Sequence, residues 1–98
     1  MNIKLKDLLA ENTIKIKADT SSYQNLPSRN LHNKESIDTI SKILEKYGFK
    51  YKGKTGGYPT DHWVYTGKKY NVGYYRLTGD VQRDYIEMEE INIGHWER

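Results

Sequence analysis

Histidine and carboxylate are the residue types in this chain able to exchange protons near neutral pH or to ligate a divalent ion. His62, Glu87 and Glu89 are the set that strand pairing can bring together. An imidazole beside two carboxylates makes either an acid/base pair or three metal ligands. Alternating Glu is also ordinary on a solvated sheet face, and no local pattern such as HExxH accompanies these residues. No catalytic site, metal site or cofactor is therefore expected. His32 and His95 have no partners at ligand spacing, and Ser21, Ser22, Ser28, Ser36 and Ser41 occupy no nucleophile-elbow context.

A second constellation suits phosphate. In KYKGKTGGYPTDHW, Lys50, Lys52 and Lys54 alternate with Tyr51 and precede Tyr58 and Trp63, a composition that tracks a phosphate backbone and stacks on bases. Gly56 and Gly57 read as a flexible strand connection. Arg29 and His32, upstream, are additional contacts of the same kind. Charge is distributed to match: residues 1–54 carry eleven Lys or Arg against six Asp or Glu, whereas 55–98 carry five against seven. A net charge of +3 allows a partner contact in the basic half, and it also suits a plain solvated surface.

These groups need elements to hold them. Ninety-eight residues make one α+β domain, 1–98, with a thin core. Only 36% of residues are hydrophobic, so nine Tyr and two Trp must supply much of the buried area. Asn2 caps a short N-terminal helix running through Glu11. TIKIKA then alternates, with Ile14, Ile16 and Ala18 inward and Lys15 and Lys17 outward, as expected of a protected edge strand. Residues 19–33 have no period and read as a long loop. Asn33 caps an amphipathic helix with Ile37, Ile40, Leu44 and Tyr47 on one face, stopped by Gly48, and FKYKG follows as a strand with Phe49 and Tyr51 inward.

Two hairpins complete the pattern. A two-residue turn at Gly67 and Lys68 pairs Tyr65 with Tyr70 and Trp63 with Val72, which lays Trp63, Tyr65, Tyr70, Val72 and Tyr74 on the helix. Next, pairing Arg76 with Asp84, Tyr74 with Ile86 and Val72 with Met88 matches charge with charge and apolar with apolar. A helix over Val81–Glu90 competes with this second hairpin, since Val81, Tyr85 and Met88 share a helical face. The opposite sheet face then collects His62, Asn71, Gly73, Tyr75, Tyr85, Glu87 and Glu89. The expected fold is an antiparallel sheet of four to five strands packed on one central helix, with the short N-terminal helix beside it.

Residues 41–72 resemble the HicA-type toxin ribonucleases, which have a double-stranded-RNA-binding-like fold and place a catalytic histidine in a Gly-Ser-His turn. Leu44, Gly48 and Phe49 match the helix end of that pattern, and Gly56 falls at the turn glycine. Gly57 and Tyr58 stand where serine and histidine belong, and His62 lies four residues later. In size, absence of cysteine and richness in Lys, Asn, Ile and Tyr, the chain also resembles small phage and mobile-element accessory proteins, anti-CRISPR inhibitors among them. That resemblance implies a non-catalytic, inhibitor-like protein docking on a protein or nucleoprotein partner. The contacts expected are Arg29, Lys50, Lys52, Lys54 and Tyr58, with Glu87 and Glu89 on an acidic side and possible RNA or DNA contact through the Lys/Tyr segment. The alternative is a HicA-like ribonuclease using His62 as its base. With no long apolar run and no secretory leader, no membrane is expected, and the expected location is the cytoplasm, that of the host if the chain is phage-encoded.

Overall fold

The computed structural model describes residues 13–54, 59–79 and 81–91. The helix expected over Asn2 to Glu11 lies outside them. The elements run β1 (Thr13–Lys17), α1 (Ser21–Gln24), α2 (Lys34–Glu45), β2 (Phe49–Gly53), β3 (His62–Tyr65), β4 (Gly73–Leu77) and β5 (Tyr85–Ile91). The five strands form one antiparallel sheet in the order β1-β5-β4-β3-β2, and α2 packs on one side of it.

Helix α2 forms as its sequence dictates. Asn33 Oδ1 accepts from the Glu35 N–H at 2.7 Å, satisfying a first-turn donor, while Glu35 and Lys42 complement the two ends of the helix dipole. Its apolar stripe buries Ile37, Ile40, Ile43 and Leu44. Against that stripe lie Ile16, Phe49, Trp63, Tyr65, Tyr75, Ile86 and Met88, each contributing about 1.5–3 kcal/mol by burial. Trp63 Nε1 donates to Ser41 Oγ at 3.0 Å and so satisfies the one polar atom of the largest core residue. Gly48, at φ 97°, turns the chain into β2. Tyr47, expected on the helix face, comes after the helix has ended and is exposed.

Residues 19–33 are not a featureless loop. They carry α1, whose Tyr23 is buried and donates to the Arg29 carbonyl at 2.6 Å. The buried Thr20 hydroxyl caps the Gln82 carbonyl at 2.9 Å, Gln24 Nε2 reaches the Val81 carbonyl at 3.2 Å, and Ser36 Oγ reaches Ser28 O at 3.1 Å. Irregular backbone is tolerable against the core because side chains satisfy it. Periodicity does not record such bonds.

Both hairpin registers differ from expectation. Tyr65 pairs with Gly73, Val64 with Tyr74 and Trp63 with Tyr75, so residues 66–72 form a seven-residue loop rather than a two-residue turn. The loop is held by side chains: Tyr65 Oη accepts from the Lys69 N–H at 2.8 Å, Tyr75 Oη donates to Asn71 O at 2.6 Å, and the Tyr70 ring folds back onto Tyr65. The shift is odd, so β4 presents Tyr75 to the core, while Tyr74 faces the other way and Val72 is 66% exposed. In the second hairpin, Arg76 pairs with Glu89 instead of Asp84, Leu77 with Met88 and Tyr74 with Ile91. Again charge meets charge, but Val81 now enters the core and the loop is lengthened. Residues 85–91 are strand, so the helix competing for Val81–Glu90 does not form.

Candidate functional site

Alternation gives the side of the sheet away from α2 its own set of side chains. From β1 come Lys15 and Lys17, from β5 Tyr85, Glu87 and Glu89, from β4 Tyr74 and Arg76, from β3 His62 and Val64, and from β2 Lys50 and Lys52. The four lysines are exposed and sit on the two edge strands. Arg76 lies in the middle, where Nη2 and Nε both approach Glu89 Oε2 at 2.5 Å. Glu87 stands directly opposite Lys15, and the Lys15 ammonium lies 5.1 Å from the Tyr85 ring centroid. Among the described residues, five cations thus share this face with two carboxylates. On the solvent side of α2, Lys34, Lys42 and Lys46 balance Glu35, Asp38 and Glu45.

The expected constellation of His62 with Glu87 is not assembled. Strand β4 separates β3 from β5, and Arg76 occupies the intervening row and engages Glu89. Among the described residues, no group of three or more His, Asp or Glu side chains gathers at ion-binding range. His62 itself is fully enclosed. Its ring packs edge-on against Tyr74 at 5.7 Å, and Nδ1 lies 3.1 Å from the Thr60 carbonyl oxygen. Asn71 lies in the 66–72 loop, and Gly73 and Tyr75 belong to the helix-facing side, so three residues expected beside His62 are elsewhere.

The basic segment divides between two places. Lys50 and Lys52 point outward along β2, which carries a bulge where the register shifts between Tyr51 and Gly53; Gly53, at φ 81°, adopts a left-handed conformation there. Tyr51 lies on the helix side of the sheet, as expected, but at the rim, 44% exposed, with its hydroxyl donating to Asp61 Oδ1. Burial, then that carboxylate, pushes its phenol up to about 12. Lys54 lines a cavity of about 190 Å³ at the end of the sheet, together with Leu31, His32, Ile37 and Leu77. Arg29 lies apart from the lysines: its guanidinium donates to Gln24 Oε1 and the side chain borders a cleft with Tyr23, Val81 and Gln82. Tyr58 and His95 are outside the described residues.

Compared with known proteins, the chain matches no family model, no curated protein and no solved structure.

Sequence reasoning missed two features. Lys15 and Lys17 were legible as outward-facing, but only the strand order puts them on the same face as Lys50 and Lys52. In addition, Gly48 to Thr55 spells GFKYKGKT, which satisfies the phosphate-loop pattern GxxxxGK[ST]. That loop works by freeing consecutive backbone N–H groups between a strand and a helix. Here Phe49 to Gly53 is itself a strand paired with β3, and α2 precedes the pattern, so the match carries no phosphate cradle. No helix among the described residues is long and apolar enough to cross a membrane.

Proposed function

We propose that this protein is a non-catalytic binding protein, an inhibitor-like factor of the anti-CRISPR kind, that docks on a protein or nucleoprotein partner in the cytoplasm. The observation carrying this reading is the one-sided charge: exposed lysines at both edges of the sheet, facing one way, opposite a helix surface of balanced charge. A preformed surface of this kind spares the backbone an ordering cost and steers an acidic partner toward it. The enclosure of His62 supports docking over a ribonuclease reading, because a general base must come within hydrogen-bonding distance of its substrate. Arg29 and Lys54 extend the contact surface beyond the sheet, Tyr58 is kept as a contact on its sequence alone, and Glu89, engaged by Arg76, contributes shape more than charge.

The test is capture of the partner from host extract, with its identity read by mass spectrometry. Reversing Lys50, Lys52 and Lys54 to Glu is expected to lower recovery of that protein about tenfold while the melting temperature stays within a few degrees. Undiminished capture removes these lysines from the interface.

A further inference from the structure

We propose that the outer face of the sheet docks double-stranded RNA, the two lysine rows resting on its two phosphate backbones; this deepens the docking reading and rests on it. The rows are Lys15 with Lys17 on β1 and Lys50 with Lys52 on β2, at opposite edges of the sheet. Four interstrand steps, about 19 Å, separate the two edge strands, and the registers offset the rows by about four residues, roughly 13 Å, along the strands. A single strand lying across the sheet must cross from one row to the other over Glu87, Glu89 and Arg76, whereas a duplex sets its two backbones on the two rows and a groove over those groups. Two backbones engage both. Each row is two side chains long, about 7 Å, so twist between the edge strands leaves two contact points rather than two long tracks.

The breadth of the face and the groups at its centre select the kind of duplex. Five strands are too wide for the B-DNA major groove, about 12 Å across, which admits a helix or a two-stranded ribbon. The A-form minor groove is wide and shallow and displays 2′-hydroxyls. Between the lysine rows stand Glu87, Glu89 and Arg76, with Glu89 neutralised by its arginine. A carboxylate placed over phosphate is repelled, but one placed over the groove floor accepts hydrogen bonds from 2′-hydroxyls. DNA has no such donors. Glu87, one strand inward from Lys15, is in the position to do this.

The experiment is a binding titration by fluorescence anisotropy with a labelled RNA duplex, the DNA duplex of the same sequence, and the single RNA strand. Wild type is expected to bind the RNA duplex at least about tenfold more tightly than either of the others. K15E/K17E and K50E/K52E should each weaken duplex binding about tenfold or more and reduce the salt slope by about two. K34E/K42E, on the helix, should change binding less than twofold, and E87A, which removes the acceptor, should narrow the preference for RNA over DNA. Circular dichroism melts establish that each variant is folded, and all four lysines on the sheet are exposed. The inference is overturned if only one row matters, if the single strand binds as well as the duplex, if DNA binds equally, or if no RNA binds. In the last case, continued loss of protein capture by the lysine reversals leaves the docking reading standing and identifies its partner surface as acidic protein.

Discussion

On the side of the sheet beneath α2, Trp63, Tyr65, Tyr75, Phe49, Ile86 and Met88 close against four aliphatic side chains. On the other side, the residues immediately next to them in sequence are Val64, Tyr74, Arg76, Lys50, Glu87 and Glu89, mostly half-buried or exposed. The first set is selected by volume and contact, and the second tolerates charge. His62 is the exception, a fully buried residue on the side that otherwise carries the charges. Core packing and outer charge are therefore separable at the spacing of one residue, which lets a 98-residue chain change its outer charges without disturbing a thin core.

The strongest attempt to break that comparison mutates two neighbours. Trp63→Ala removes the largest buried side chain and orphans Ser41 Oγ, and a loss of about 3–5 kcal/mol is expected by urea denaturation, a large part of the stability of so small a domain. Val64→Ala, one residue on and facing outward, is expected to lose less than about 1.5 kcal/mol. Equal losses would show that the outer side is packed as tightly as the inner one.

A middle-sized effect comes from the loop that set the β4 register. A Cβ at Gly67 would overlap the hydroxyl end of Tyr65, whose oxygen is fixed by the Lys69 N–H. Gly67→Ala is expected to cost about 1–3 kcal/mol by overpacking. Tyr65→Phe loses only the hydrogen bond, about 0.5–1.5 kcal/mol. If Gly67→Ala melts like wild type, the ring does not sit over the loop, and the seven-residue connection needs another cause.

That loop also explains how much of the molecule was legible in sequence. Local signals worked: the Asn33 cap, the stripe of α2, the Gly48 stop and the alternation of β1 all appear where residue chemistry puts them. Register did not, because it is decided by loop length, and the loops here are closed by side-chain bonds from Tyr65, Tyr75 and Thr20 that leave no turn motif. The two hairpin errors were both odd, three residues and then five, so they cancelled: β3 and β5 kept their expected inner faces and only β4 was reversed. Tyr74 and Tyr75 exchanged roles, and Arg76 moved into the space between His62 and Glu87. The candidate face was thus half readable, its lysines and glutamates by alternation, its assembly only through strand order.

The smallest expected effect separates a phenol in the core from one at the rim. Tyr75, buried, is pushed up to about 12 by burial first and Glu90 second; Tyr51, at the rim, also reaches about 12, with Asp61 adding to burial. A phenol whose folded value exceeds the unfolded value near 10 favours the fold below pH 10 and gives up that contribution as pH rises toward 12, because the unfolded chain ionises first. Stability should accordingly fall across that window. Tyr51→Phe removes one late-titrating phenol from the tyrosinate absorbance curve. At neutral pH it is expected to cost only about 0.5 kcal/mol, the bond to Asp61 being solvent-exposed. Tyr75→Phe should remove the other late phenol and also weaken the 66–72 loop through Asn71. Each substitution should therefore shallow the alkaline loss of stability, and a profile unchanged by Tyr75→Phe but abolished by Tyr51→Phe would show that the titration governing stability lies at the rim and not beneath the helix.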